Sequence, residues 1–275
     1  MNGKSISELK EMARKCRVEI CKMTHRIQAG HPGGSLSEID ILCALYGHRL
    51  RCKPDDPDWI DRDRFILSKG HASPGMYAVL AEMGFISHED LKSYRVKGGI
   101  CQGHVDMKWC PGVDFSAGSL GMGLSFGLGC AIAAKIEGSS RNAYIMVGDG
   151  EIQEGSVWEA AMAAAHHELG NLKLFIDCNG IQNDDFCDAQ MRMFDIPSKW
   201  ESFGWSVKEI DGHDMEQIID AIDWMDTITD VPCVVIAHTV KGKGVSFMEN
   251  NPAFHGAAPN DEQLSQALQE LEVIL

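Results

Sequence analysis

The pattern of apolar and polar positions predicts a chain in which helices and strands alternate. Between Ser5 and Gln28, apolar residues recur at steps of three and four, the spacing of one helical face. Five shorter apolar runs have the length of buried strands, and they cover residues 64–67, 143–147, 172–178, 205–210 and 233–237. Because these runs alternate with helical segments, we predict an α/β fold with a mostly parallel sheet and helices on both faces.

Local signals predict where several helices begin and where the chain is irregular. Ser35–Glu38 and Ser156–Glu159 match the Ser-x-x-Glu capping box, so a helix is expected to begin at each. Pro74 is expected in the first turn of another helix. Residues 97–116 have no periodicity and predict a long loop, which is either functional or disordered. Further helices are expected over residues 215–224 and 261–275.

A glycine-rich stretch, residues 118–129, leads into one of the predicted helices. Glycine in a helix is unfavourable by about 1 kcal/mol relative to alanine. So many glycines together indicate close backbone packing, close approach of a ligand, or a loosely packed helix.

An acidic turn and an amide turn mark the carboxyl ends of the second and third predicted strands. Asp149 lies in Gly148-Asp149-Gly150, and Asn179 comes thirty residues later. Open α/β sheets bind ligands outside these strand ends, so Asp149 and Asn179 are expected to share one pocket. Carboxylate and amide oxygens suit Mg²⁺ that is shared with a phosphate group. Gly-Asp-Gly alone is more typical of an ordinary turn, and the spacing to Asn179 is what favours a site.

Four of the eleven histidines lie in glycine-bearing loops and are candidates for acid–base chemistry: His31, His71, His104 and His255. Imidazole donates or accepts a proton near neutral pH, which suits it to this work. A lone loop histidine is usually an ordinary surface residue. We therefore give a structural role to His25, His48, His88, His213 and His238, and no catalytic role to His166 and His167.

Composition and charge exclude several classes of protein. The 275 residues carry a net charge of −15, which disfavours nucleic acid and anionic membranes as partners. No apolar run reaches the length of a membrane span. None of the ten cysteines are spaced Cys-x-x-Cys, so we expect no zinc site and reduced thiols in a cytoplasmic protein. A diphosphate entering so acidic a chain would need a divalent cation to neutralise it.

The acidic and amide turns together resemble the thiamine-diphosphate signature. The surrounding residues 150–155 and 178–182 resemble the amino-terminal half of transketolase. The resemblance implies the thiamine-diphosphate-binding fold. It also implies that Asp149, Asn179 and the backbone carbonyl of Ile181 hold Mg²⁺ on the diphosphate of thiamine diphosphate.

The same resemblance implies roles for other residues of this chain. His31, His71, His104 and His255 would line the channel over the thiazolium ring and handle substrate hydroxyls and protons. The implied contacts to the cofactor are His71, Gly118, Ser119, Leu120, Gly148, Asp149, Gly150, Glu154, Asn179 and His255. This chain has Val105 where the family usually has proline after the histidine, and Met122 where the family has glutamine. Lys241 and Lys243 are expected to be solvated rather than bound to substrate phosphate.

The resemblance spans about residues 10–265 and lacks a pyrimidine-binding half. In the family, that half carries the glutamate that protonates the cofactor's aminopyrimidine. We therefore expect one domain over residues 1–275, and a carboxy-terminal partner subunit in an α₂β₂ assembly. The expected reaction moves a two-carbon ketol unit from a ketose phosphate to an aldose phosphate.

Three alternatives stay open. The first is another thiamine-diphosphate ketol or acyl transferase, such as a deoxyxylulose-phosphate synthase-like enzyme or a transketolase for sulfosugars or branched sugars. The second is a non-catalytic subunit that binds a metal and a diphosphate. The third is a metal hydrolase that uses Asp149 and nearby histidines.

Overall fold

A five-stranded parallel sheet organises the part of the chain that the structure, a computed structural model, describes, namely residues 3–183 and 185–272. The strands are β1 (Arg64–Leu67), β2 (Ala143–Gly148), β3 (Leu172–Cys178), β4 (Ser206–Asp211) and β5 (Cys233–His238). Their order across the sheet is β1-β2-β3-β5-β4, and every neighbouring pair is parallel. The predicted strands and the predicted parallel sheet are therefore confirmed.

Helices connect the strands, as the alternating pattern predicts. They are α1 (Ile6–Ile27), α2 (Pro32–Ala44), α3 (Ser73–Glu82), α4 (Met122–Ile136), α5 (Gly155–His166), α6 (Cys187–Gln190), α7 (Ile196–Ser202), α8 (Met215–Thr227) and α9 (Asp261–Glu272). The last three residues of the helix predicted over 261–275 lie outside the described residues. No helix in the described ranges is both long and apolar enough to cross a membrane. Residues 97–116 contain no helix or strand, as predicted.

The sheet has a layer of helices on each face. Along β2, Tyr144 and Met146 point into a core formed with α1, α2, α3, α8 and α9. The alternate residues Ile145 and Val147 point into a second core formed with α4, α5 and α7. This alternation follows from the two-residue period of a strand. Both faces are thus covered, and ligands can reach the sheet only at its edges or strand ends.

Neither internal capping box forms, because other parts of the fold bind the two serines. The helix expected at Ser156–Glu159 does begin there, at Gly155, whereas the one expected at Ser35–Glu38 begins earlier. Helix α2 begins at Pro32, so Ser35 lies inside it and donates to Ala72 O, in the segment after β1, at 3.1 Å. Helix α5 begins at Gly155, and Ser156 donates to Gly121 O at 3.1 Å instead of capping its own helix. Proline in the first turn supplies the start of α2, a role that proline commonly has.

The glycines of α4 allow the helix to lie close to the sheet. A Cβ added to Gly127 would meet Ile145 Cγ1 at 2.6 Å, and one added to Gly123 would meet Ser68 Cβ at 2.4 Å. Of the three explanations for this glycine-rich stretch, close backbone packing therefore holds at these two positions.

Candidate active site

The carboxyl edge of the sheet brings the acidic turn and the amide turn together. Gly148 pairs with Asp177 at the ends of β2 and β3, and Asp149 and Asn179 follow directly. Asp149 Oδ2 accepts the backbone N–H of Gly180 at 2.6 Å, so the two turns are in direct contact. The shared location that was predicted for Asp149 and Asn179 is confirmed.

Ile181, the third predicted metal ligand, is held beside Asn179. Its N–H donates to Asn179 Oδ1 at 3.1 Å. Its carbonyl oxygen, the atom expected to bind the metal, accepts Lys241 Nζ at 2.7 Å. Asp149, Asn179 and Ile181 line one cavity. Their role as ligands of a cation stays a prediction.

The four candidate histidines form one cluster. The ring centroid of His31 lies 5.1 Å from that of His71, 5.5 Å from that of His255 and 6.3 Å from that of His104. His71 and His255 stack at 5.2 Å. Sequence positions spread over more than two hundred residues are thus brought together by the fold.

Separate elements position these rings. His31 directly precedes α2, and His71 lies in a short 3₁₀ turn after β1. His104 lies in the long loop, whose backbone is held because the Tyr77 hydroxyl donates to Gln102 O at 3.0 Å. His255 follows a 3₁₀ turn over Pro252–Phe254.

A cavity of about 390 Å³ contains most of the predicted site. It is lined by His31, His71, His104, Gly118, Leu120, Gly148, Asp149, Gly150, Glu154, Asn179, Ile181 and His255, together with residues that were not predicted. Ser119 is the one predicted contact that does not line it. Its neighbours Gly118 and Leu120 do, so the backbone of this loop forms the wall.

Burial lowers the pKa of all four rings, which favours their neutral forms. Burial, followed by the charge of Arg95, lowers the pKa of His31 to about 4. Burial and then Lys241 lower the pKa of His255 to about 3. Burial likewise lowers the pKa values of His71 and His104. A neutral imidazole has one donor and one acceptor nitrogen, so each ring can both give and take a hydrogen bond.

The expectation that Lys241 is solvated is wrong. Lys241 is 2% exposed, lines the cavity, and places Nζ 2.6 Å from His255 Nδ1 as well as against Ile181 O. Burial, followed by the charge of Lys69, lowers its pKa to about 8. Lys243, in contrast, has a partly exposed side chain near Glu249. The sequence pattern does not distinguish Lys241 from Lys243. The turn after β5 directs Lys241 into the cavity, and this turn is visible only in the folded chain.

Sequence reasoning also missed Glu151, which joins three segments around the cavity. Its Oε1 accepts the Ser68 hydroxyl and the N–H of Gly121, the latter at 2.8 Å. Its Oε2 accepts Gly148 N–H at 3.1 Å. The end of β1, the glycine loop and the end of β2 are therefore tied to one buried carboxylate. Its position two residues after Asp149 could have been used to predict that Glu151 lies at the cavity.

A larger cavity, of about 610 Å³, lies at the opposite end of the sheet and has a structural explanation. Its lysines bind backbone carbonyls at helix ends: Lys135 donates to His167 O at 2.7 Å, and Lys173 donates to Ile228 O at 2.7 Å. Basic side chains commonly bind carbonyls at helix C-termini in this way. The chemistry-bearing residues collect in the smaller cavity.

The parallel sheet, with Asp149 and Asn179 at its carboxyl edge, defines a thiamine-diphosphate-binding α/β protein. In agreement, residues 9–273 match the family model described as transketolase, thiamine diphosphate binding domain. The chain therefore belongs to the transketolase family.

Two of the curated relatives are single subunits of about the same length as this chain. One, from the apulose-4-phosphate transketolase of Phocaeicola vulgatus, is 38% identical, with 97% of this chain and 94% of the relative covered. The other, from the 6-deoxy-6-sulfo-D-fructose transketolase of a Clostridium species, is 36% identical, with 96% of each covered.

Other relatives are longer. Human transketolase is 34% identical, and the match covers 97% of this chain but 42% of that protein. The crystal structure of the Campylobacter jejuni transketolase superimposes with a TM-score of 0.93 at 33% identity, covering 98% of this chain and 43% of that one. The chain thus spans less than half the length of these transketolases. All of these relatives are named as transketolases, which are transferases. The two that are single subunits match this chain over nearly its whole length.

Proposed function

We propose that this chain is the amino-terminal subunit of a two-chain transketolase that uses thiamine diphosphate and Mg²⁺. The reaction would move a two-carbon ketol unit from a ketose phosphate to an aldose phosphate. The convergence of four histidines on the cavity of Asp149 and Asn179 is the observation that carries the proposal. The cofactor, when bound, supplies the carbon nucleophile, while the protein binds, orients and moves protons.

The residues at the carboxyl edge fit a hard divalent cation. Asp149, Asn179 Oδ1 and Ile181 O would supply three oxygen ligands, and phosphate oxygens and water can complete the shell of Mg²⁺. Burial, followed by the nearby charge of Asp177, raises the pKa of Asp149 to about 6. An adjacent cation would stabilise the ionised carboxylate, which burial otherwise disfavours.

Replacement of Asp149 tests the metal site directly. Asp149→Ala is expected to abolish the joint uptake of Mg²⁺ and thiamine diphosphate in calorimetry. Asp188→Ala removes an exposed carboxylate from the nearby helix α6 and is the matched control. If Asp149→Ala takes up cofactor and metal as the unaltered chain does, the metal assignment is wrong.

The histidines supply hydrogen bonds to the substrate and proton transfer at its carbonyl. The Nδ1 atom of His31 is buried and has no hydrogen-bond partner within the described part of the chain, so it can bind a substrate hydroxyl. The Lys241 ammonium donates to Nδ1 of His255, which leaves the proton of this neutral ring on Nε2. His255 is therefore arranged as a donor from Nε2.

Substitution of His71 separates catalysis from binding. His71→Ala is expected to lower turnover strongly while cofactor affinity stays nearly unchanged. If cofactor affinity falls instead and the unaltered chain has no turnover with its partner, a non-catalytic binding subunit is the better description. Turnover without thiamine diphosphate would favour the metal hydrolase.

An exposed apolar face supports a companion chain. Helix α4 has no charged residue before Lys135, yet Met122 and Phe126 are exposed on it, as is Met162 on the adjacent α5. Leu120 is exposed beside this face and also lines the cavity. A chain docked here would cover apolar surface and close the cavity at once.

The companion we propose carries the pyrimidine-binding half, in an α₂β₂ complex with one cofactor between the two kinds of chain. The names of the relatives, which describe single subunits of larger transketolases, support this reading. We further propose that residues 1–275 form one domain. Purified alone, the chain is expected to have little ketol transfer. Full activity without any companion would contradict the two-chain proposal.

A transketolase for an unusual sugar is the second candidate, and the relatives favour it. One is named for apulose 4-phosphate and another for 6-deoxy-6-sulfo-D-fructose. Donor and acceptor profiling with the companion present distinguishes these from the common ketose phosphates and from a deoxyxylulose-phosphate synthase-like activity.

We also propose a cytoplasmic location. All ten cysteines are free thiols, and most are buried as small core residues. Unpaired thiols persist in a reducing compartment. The test is to isolate the protein from cells, unfold it without a reducing agent and titrate its thiols. Ten free thiols would support the location, and native disulfides would contradict it.

A further inference from the structure

The buried residue Asp177 contacts both turns that carry the proposed side-chain ligands of the metal, one through its backbone and one through its carboxylate. Asp177 lies near the end of β3, is fully buried and does not line the cavity. Its backbone carbonyl accepts the N–H of Asp149 at 3.2 Å. Its Oδ2 accepts Nδ2 of Asn179 at 2.9 Å. Asp177 therefore touches both ligand-bearing turns from behind.

The amide of Asn179 is held in one orientation from two sides. Nδ2 donates to Asp177, and Oδ1 accepts the N–H of Ile181 at 3.1 Å. Turning the amide by half a rotation would set its oxygen against the Asp177 carboxylate and its NH₂ against the Ile181 N–H. Both contacts would be repulsive and would leave buried groups unpaired, so the donors and acceptors around the amide decide its orientation.

Asp177 is a dependable acceptor because cationic and hydroxyl donors surround it. Its Oδ2 also accepts Lys69 Nζ and the Ser37 hydroxyl, and its Oδ1 accepts the Thr239 hydroxyl. Lys69 in turn contacts Glu38 at 2.8 Å.

We propose that Asp177 is a positioning residue that presents the Asn179 oxygen, rather than its NH₂, to the cation of the cofactor site. The proposal rests on the metal assignment above. It is specific because an amide NH₂ cannot ligate Mg²⁺, so a turned amide would remove one ligand outright. Partners behind metal ligands commonly contribute about 10- to 100-fold in metal affinity.

A purely structural role for Asp177 predicts something different. In that case the carboxylate serves only to neutralise Lys69. Once Lys69 is also replaced, the presence or absence of an acceptor oxygen at residue 177 would leave cofactor affinity unaffected. Replacing a buried ion pair by neutral residues is often tolerated. Glu38, the other partner of Lys69, can stay neutral in such variants because burial raises its pKa to about 8, so they are expected to fold.

The test compares two double variants of similar side-chain size, of which one keeps an acceptor oxygen at residue 177 and the other does not. Lys69→Met/Asp177→Asn retains one oxygen for the Asn179 amide, and Lys69→Met/Asp177→Leu removes it. Binding of Mn²⁺ with thiamine diphosphate to the full chain is measured by electron paramagnetic resonance and calorimetry. The Leu variant is expected to bind at least about tenfold more weakly than the Asn variant. Equal affinities overturn the proposal.

Repeating the comparison in an Asn179→Ala background shows whether the effect passes through the amide. The difference between the two variants is then expected to disappear. A difference that persists contradicts positioning through Asn179. If Asn179→Ala alone binds Mn²⁺ and thiamine diphosphate as the unaltered chain does, the metal assignment itself is wrong. Equal affinities of the Asn and Leu double variants, by contrast, would contradict only the role of Asp177.

Hydrogen exchange of the Asn179 amide, measured without metal or cofactor, tests the proposal independently of cofactor affinity. The side-chain NH₂ of Asn179, identified by its loss in Asn179→Ala, is expected to exchange slowly with solvent in the Asn variant. In the Leu variant it is expected to exchange at least about tenfold faster, and equal rates overturn the proposal. Asp63→Asn is the matched control, because Asp63 is a buried carboxylate bound to Arg51 at the amino end of β1.

Discussion

Lys241 Nζ lies 2.7 Å from the carbonyl oxygen of Ile181, the backbone group proposed as a metal ligand. The ammonium is buried against the cavity and reaches His255 as well. In a chain with a net charge of −15, it places a positive charge where the diphosphate is proposed to bind. A lysine in this position would attract phosphate oxygens as a point charge.

Replacing Lys241 should therefore weaken cofactor binding. Lys241→Met is expected to raise the dissociation constant of thiamine diphosphate, at saturating Mg²⁺, by about 10- to 100-fold, because a charge-assisted hydrogen bond contributes about 1.5–3 kcal/mol. Calorimetry measures the change. Lys243→Met is the control, since Lys243 has a partly exposed side chain two residues away. If the two substitutions weaken binding equally, the net positive charge of the region matters and direct contact of Lys241 with the diphosphate does not.

Two glycines of α4 should respond oppositely to alanine. At Gly127 a Cβ would meet Ile145 Cγ1 at 2.6 Å, whereas at Gly129 nothing lies within 4 Å. Gly127→Ala is expected to destabilise the chain by about 1–3 kcal/mol through overpacking. Gly129→Ala is expected to stabilise it by up to about 1 kcal/mol through helix propensity. Urea denaturation measures both free energies of unfolding, and changes of the same sign would contradict this difference in packing.

The ion pair of Asp40 should make stability depend on acid pH. Arg17 donates to both oxygens of Asp40, at 3.0 and 2.6 Å, and His213 Nδ1 lies 2.8 Å from Oδ2. Burial opposes ionisation of Asp40, yet Arg17 and His213 outweigh it and lower its pKa to about 2.

Because the folded pKa of Asp40 is below the unfolded value, its stabilisation is present above about pH 4 and is lost as the pH falls towards 2. The contribution is on the order of 2 kcal/mol. Asp40→Asn is expected to be much less stable than the unaltered chain at pH 6, and the gap in unfolding free energy is expected to shrink between pH 4 and pH 2. A gap that does not change with pH would contradict the ionised pair.

The apolar face of α4 and α5 should be needed for binding the companion chain. Phe126→Asp is expected to weaken the complex by at least about tenfold, because a charge would be buried in an uncharged contact. Sedimentation of the mixed chains measures it. Ile60→Asp is the control, as Ile60 is also exposed but lies in the loop before β1. If both variants bind equally well, the companion uses another surface.

Much of the fold could be predicted because its signals are local. The five apolar runs became the five strands. A run such as 172–178 is short, mostly apolar and followed by a turn signal, which favours a buried strand over a helix. The placement of Asp149 and Asn179 followed from those strand ends. Ser35 and Ser156 misled the prediction of helix caps because their hydroxyls bind neighbouring segments that no local pattern reveals.

The chain itself determined the order of its strands and helices, the turns that carry Asp149 and Asn179, and the four histidine-bearing loops. These depend on spacing and on chemical type, which can be seen along one dimension. The tertiary structure alone decided that Lys241 points inward while Lys243 does not, and that Asp177 lies behind Asn179. The contacts of Lys241 and of the Asp177 carboxylate join segments up to about 140 residues apart, such as Ser37 and Asp177, so they exist only once the sheet and its helices have packed.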